Sequence, residues 1–162
     1  HWLLTDIALS DFRTFTRLSP PLRCEADRLA VLAALADGTI DVLTSSHDPR
    51  GPEAKRLPFV DAEPGAAGAE TLLPLALGLV RDGVLTLDAL FEKLAINPAR
   101  ILGLDAGRLA AGAPADLVLF DPDAPWQIRR TKLKGLASNT PFDGLPVQGR
   151  VLQTIKGGQT LV

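Results

Sequence analysis

The sequence predicts an α/β portion over residues 1–103 followed by a β portion over residues 104–162. Three observations carry that reading. Between Glu25 and Thr44 an amphipathic helix leads into a short apolar, β-branched run, the rhythm of an α/β fold. A second group of helical segments, each opened by its own start signal, fills residues 70–102. From Gly107 onward the helical period is lost, the apolar runs shorten, and Gly157-Gly158 marks a hairpin. No internal repeat is visible.

Taken in order, Ser19-Pro20-Pro21-Leu22-Arg23 is a stiff extended segment, because each proline fixes its own φ and turns the preceding residue away from helix. The first helix spans Glu25 to Ala36. Leu29, Leu32, Ala33 and Ala36 recur at helical spacing, acidic residues fill the first turn, and Gly38 supplies the stop. Ile40 to Thr44 reads as a short strand. Residues 45–69 are rich in Pro, Gly and charge and show no period, so they read as a long loop, a feature that is usually functional or disordered. Glu70 to Arg81 is apolar on all sides, a buried helix with Pro74 tolerated in its first turn. Thr86 caps a helix running to about Leu94, and Asn97-Pro98 repeats the cap-plus-proline device for a short helix through Leu102. Asp116 to Phe120 and Trp126 to Ile128 are strands, Arg129 to Gly144 is basic and then loop-like, and Gly149 to Val162 is the hairpin.

At 162 residues and 46% hydrophobic, the chain is long enough to bury a real core. A net charge of −2 argues against nucleic-acid and polybasic membrane partners, which need clustered Lys and Arg. No apolar run approaches the ~20 residues of a membrane span, and the first residues lack the basic-then-apolar pattern expected of a signal peptide. The single Cys24 rules out an internal disulfide and fits a reducing, cytoplasmic compartment. His1 and His47 are too few for a histidine-rich metal centre. There is no methionine, and His1-Trp2-Leu3-Leu4 reads like the interior of a domain, so the expectation is a C-terminal part of something larger. A trimmed terminus before a complete small domain is the other reading.

The first place to look for chemistry is Thr44 to Arg50, directly after the predicted strand, because strand ends carry the catalytic groups of parallel barrels. His47 beside Asp48 suits a base and its orienter, with Ser45 or Ser46 as nucleophile. A polar turn capped by Ser and Asp explains the same residues. Arg50, Lys55 and Arg56 suit an anionic substrate or a solvated loop. Cys24 before a helix suits a thiolate or a small core residue. Asn97 to Arg100 suits an anion at a helix N-terminus, or simple capping.

Read together, these motifs resemble the C-terminal half of dihydroorotase, within the amidohydrolase superfamily. His1 to Asp6 looks like the segment following the family's Pro-His-His motif, and Ser19 to Arg23 is similar to its Asn-Pro-Pro-Leu-Arg. Asp41 to Pro49 resembles Asp-X-Ile-Ala-Thr-Asp-His-Ala-Pro-His, and Pro58-Phe59 with Gly65, Gly68, Glu70 and Thr71 resembles the Pro-Phe…Gly-X-X-Gly-Leu-Glu-Thr that follows. Asn97 to Leu104, then Gly112 to Val118, are the most specific stretches, and Asn139-Thr140-Pro141-Phe142 with the closing hairpin completes the series.

The resemblance implies the C-terminal portion of a zinc-bearing (β/α)8 barrel followed by strands of a small β-sandwich. It implies reversible closure of carbamoyl aspartate to dihydroorotate in pyrimidine synthesis, with zinc ligands upstream of His1 and none held by this chain alone. Three departures follow. Ser46 stands where the family has its catalytic aspartate, Ser19 where it has a substrate-contacting asparagine, and Arg50 where a histidine follows Ala-Pro. A hydroxyl neither ligates zinc as a carboxylate does nor acts as a general base near neutral pH. Asp48 is the rescue candidate, but two residues at strand rise displace it by ~6 Å, beyond the tolerance of a metal site. The resemblance therefore implies impaired or absent catalysis, or a non-catalytic scaffold holding aspartate carbamoyltransferase, as inactive members of the family do. A barrel piece with open sheet edges is expected to join a larger assembly or form a homo-oligomer.

Overall fold

The computed structural model describes residues 1–161. Helix α1 (Glu25–Ala36) forms as its periodicity requires, with Glu25 and Asp27 in the first turn. Gly38 follows it at φ +87°, a left-handed turn open to glycine without cost. Helix α2 (Pro52–Arg56) lies inside the stretch read as a long loop, started by a proline at its N-terminus. The 45–69 segment is thus built, not structureless. A 3-10 turn (Ala69–Thr71) leads into helix α3 (Leu72–Arg81), which buries Pro74, Leu75, Ala76, Leu77 and Leu79. Helix α4 (Leu87–Phe91) is capped by the Thr86 hydroxyl, which accepts from Ala89 N at 3.2 Å.

The chain then differs from its sequence reading. Asn97 caps nothing. Helix α4 continues through a π turn (Glu92–Ile96) into helix α5 (Asn97–Ile101), with Ile96 and Asn97 both in the right-handed helical region. Proline explains the widened turn: its ring clashes with the carbonyl four residues back, and it brings no N–H. In the π register Asn97 N donates to Glu92 O, and the Lys93 carbonyl would take the missing N–H of residue 98. Leu43 N fills that vacancy at 3.0 Å. The buried Lys93 ammonium donates to Ile40 O at 2.6 Å, and Asn97 Nδ2 to Asp41 O at 2.9 Å. A second difference is that Ile40 to Thr44 pairs with no strand among the described residues; Ile40 O, Asp41 O and Leu43 N bond to the helical segment instead.

The core of this part joins Leu35, Leu43, Ala76, Leu77, Leu79, Leu85 and Leu90, with Trp2 and Phe120 packed against it. A three-stranded antiparallel sheet follows in the order β1 (Leu117–Gln127), β2 (Pro146–Lys156), β3 (Gln159–Thr160). The two strands expected at 116–120 and 126–128 are one strand, interrupted by an irregularity between Asp121 and Pro125. There Asp121 Oδ1 accepts from Asp123 N and Ala124 N. Strand β2 begins before Gly149, and Val162 of the expected hairpin lies outside the described residues. Gly157 and Gly158 both have positive φ, as the hairpin turn requires. Gly149 lets β2 meet α3: a Cβ there would collide with the Leu77 side chain.

Candidate functional site

The site grows from two extended segments laid side by side. Residues 44–48 run parallel to 65–68, bridged between His47 and Ala66, and Asp48 N donates to Ala66 O at 2.9 Å. Their closeness depends on glycine. A Cβ on Gly65 would stand 2.6 Å from the Asp48 carbonyl, and one on Gly68 would stand 2.8 Å from the Ser45 carbonyl. Within the first segment, Ser46 N donates weakly to Thr44 Oγ1 and His47 N to Ser45 Oγ. Ser46 itself has φ +46°, a left-handed conformation that Asp, Asn and Gly adopt more readily than serine.

This geometry separates the groups that the sequence places together. His47 Nδ1 accepts from Gly68 N at 3.0 Å and Ala69 N at 3.2 Å, so that nitrogen is engaged by backbone and not by a serine or by Asp48. Asp48 turns to Arg50, with Oδ2 and Nη2 2.8 Å apart. No Ser-His-Asp triad forms within this segment; the polar-turn reading describes it.

Arg50 is fixed on several sides. Nε donates to Pro64 O at 2.9 Å and lies 3.5 Å from Glu63, while its backbone N donates to Asn139 Oδ1 at 3.2 Å. Asn139, only 3% exposed, also donates through Nδ2 to Gly65 O and accepts at its carbonyl from Ala67 N. One buried asparagine therefore satisfies both loops, a role that single-residue reasoning missed; its only sequence signal was its place in Asn139-Thr140-Pro141.

Lys55 also departs from both of its sequence readings. It is 5% exposed, and its ammonium donates to Thr14 O, Arg17 O and Glu63 O. Burial lowers its pKa from the ordinary lysine value, with the nearby Arg50 and Arg17 charges adding to the effect. It ties loops together and is neither solvated nor turned to a substrate. Arg56 pairs with Glu53 at the surface. Cys24 is exposed, its thiol 3.3 Å from Asp27.

Ser19, Ser46 and Asp48 come together on the wall of one cavity of about 100 Å3, whose apolar side includes Leu22, Leu75 and Phe142. Arg50 is not on that wall; it borders a separate groove with Lys55 and Asn139. Among the described residues no three His, Cys, Asp or Glu side chains converge to hold a metal ion, and no helix is long and apolar enough to cross a membrane.

The amidohydrolase family model matches residues 14–161. The chain is 45% identical over 161 residues to the dihydroorotase of Desulforapulum autotrophicum and 44% identical to that of Geobacter metallireducens, covering 99% of this chain and 38% of each relative. It therefore spans well under half the length of the curated relatives it matches. Among solved structures, it superposes on the L-hydantoinase (dihydropyrimidinase) of Arthrobacter aurescens with a TM-score of 0.91 at 30% identity, covering 98% of this chain and 37% of that one. The dihydropyrimidinase of Brevibacillus agri gives 0.90 at 27% identity, covering 99% and 37%. The expected architecture, the C-terminal portion of a (β/α)8 barrel followed by sandwich strands, is the one these neighbours share.

Proposed function

The chain belongs to the amidohydrolase family, and on that premise we propose that the protein is a dihydroorotase-like member of pyrimidine biosynthesis that has lost the family's cyclic-amide chemistry. Ser46 carries this reading. It lines the cavity where a carboxylate is needed to shuttle a proton between carbamoyl aspartate and dihydroorotate, and its hydroxyl is no base near neutral pH. Asp48, the nearest acid on the same wall, is committed to Arg50.

The donor set of this chain does not fit the zinc of the family. One ring nitrogen of His47 is taken by two backbone N–H groups, Asp48 is paired, and Ser46 offers a neutral oxygen. What the chain's residues do is structural: Ser19 and Ser46 leave a small polar wall, while Asp48, Arg50, Asn139 and Lys55 hold the loops around it.

On the same reading the protein is a scaffold, with aspartate carbamoyltransferase as its partner and self-association as its habit. Consecutive exposed Leu117, Val118 and Leu119 on β1 support association. The barrel portion ends near residue 103, a division supported by residues 103–115 holding neither helix nor strand.

The test is zinc content and turnover of dihydroorotate and carbamoyl aspartate by the whole protein. The expected result is no turnover and less than stoichiometric zinc; stoichiometric zinc with turnover overturns the proposal. A Ser46→Asp variant locates the loss. Regained zinc confines it to this position, and unchanged zinc extends it to the rest of the site.

A further inference from the structure

The loop between β1 and β2 carries a basic run that the reading above leaves unused. Between Asp123 and Asp143 the sequence holds no acidic residue and four basic ones: Arg129, Arg130, Lys132 and Lys134. The structure divides them. Arg130 turns back to Asp143 at 3.8 Å and lies over the Phe15 ring. Arg129, Lys132 and Lys134 instead line a groove of about 700 Å3, together with Arg150 of β2.

Among the described residues Arg129, Lys132, Lys134 and Arg150 pair with no carboxylate, unlike their neighbour Arg130. The only acid on the groove wall is Glu70. Its Oε1 accepts from Lys134 N at 2.7 Å and Gly135 N at 3.3 Å, which fastens the end of the basic loop in place. Pro74, Trp126 and Val151 add apolar surface, and the Trp126 indole N–H is already donated to Gly149 O.

Four cations against the single carboxylate of Glu70 leave the groove with an excess of positive charge, and an anion placed among them gains from that excess. The groove has the size of a small-molecule site. Adjacent phosphates spread several charges over the spacing of such a cluster, where a single carboxylate meets only one or two of its members. We propose that this groove binds a ligand bearing two or more adjacent phosphates, of the nucleoside polyphosphate class. Arg129, Lys132, Lys134 and Arg150 hold the phosphates, and the Trp126 region offers an apolar surface for the base. The groove shares no lining residue with the cavity at Ser46, so the inference stands or falls independently of the proposed loss of catalysis.

The test is calorimetric titration of the whole protein with ATP, tripolyphosphate and adenosine at low and high salt. ATP and tripolyphosphate are expected to bind, adenosine is not, and affinity falls as salt rises. Tighter binding of ATP assigns the nucleotide as the ligand; equal binding assigns any polyphosphate. The double substitution Lys132→Glu with Lys134→Glu weakens ATP by about tenfold or more, with thermal unfolding unchanged because both side chains are exposed. If that variant unfolds early, Arg150→Gln is read in its place, with the same direction expected. Failure of both phosphate probes to bind, binding indifferent to these substitutions, or tighter binding of hexaglutamate than of ATP would each overturn the proposal.

Discussion

The leucine core around α3 and the loop cluster around Ser46 share a border, since Leu72 and Leu75 of α3 reach the cavity while Leu77 and Leu79 face the core. Different forces hold them. The core is apolar burial among Leu35, Leu77, Leu79, Leu85 and Leu90, a non-directional force that depends on filling the available volume. The loop cluster is stitched by Asn139, Lys55 and Arg50, with two glycines permitting backbone contact. The first region tolerates swaps that keep side-chain volume. The second depends on particular atoms, and so the chemical identity of Ser46 can change while the scaffold around it persists.

The largest effect should come from cutting the core. Leu90→Ala, at a side chain with no exposure, is expected to cost about 2–5 kcal/mol in denaturant unfolding, and Leu90→Met much less. Equal losses for the two would mean that the core, too, relies on exact placement. In the loop cluster, Gly65→Ala is expected to cost about 1–3 kcal/mol from crowding and positive φ, while Gly51→Ala, with open space around it, changes the melting temperature little. If both glycines behave alike, the close approach to Asp48 is not what holds the cluster.

Asn139→Ala comes next, expected to cost about 1–2 kcal/mol by leaving Arg50 N and Gly65 O without partners. Its effect should concentrate in hydrogen exchange at 48–50 and 65–67 and spare α3. The smallest effect lies outside both regions, at the hairpin. Lys156, then Gly157 N, holds the Asp116 carboxyl below the usual carboxylate range. A lowered carboxylate pKa stabilises the fold above the unfolded value and loses that contribution as pH falls through the folded one. Stability measured against pH should therefore separate parent from Asp116→Asn at neutral pH and bring them together in acid.

Much of this was legible in the sequence wherever a local signal decided the outcome. Glu25 to Ala36 forms the helix its spacing predicts, Thr86 caps as expected, and Gly157-Gly158 turns the hairpin. Reading failed where a distant partner decided. Ile40 to Thr44 has strand composition, yet no strand pairs with it among the described residues, and Lys93 and Asn97 take the carbonyls of Ile40 and Asp41. Asn97-Pro98 has the composition of a cap, yet the preceding helix runs through it. At the site, the sequence singled out Ser19, Ser46 and Asp48, which do share one cavity. It did not show that Asp48 would be bound to Arg50, or that Lys55 would be buried beneath three carbonyls, because both facts depend on loops folding back across residues 14–17 and 63–65.

The widened turn before Pro98 has an effect beyond its own bonds. One extra residue in a helical turn rotates everything after it by about 100° relative to an unbroken α-helix. The apolar stripe that Leu90 and Leu94 present to the core is thrown out of phase, and Ile101, which would continue it in an unbroken helix, emerges 63% exposed. A single imino acid thus turns Ile101 away from the ridge that Leu90 and Leu94 begin and leaves it facing outward.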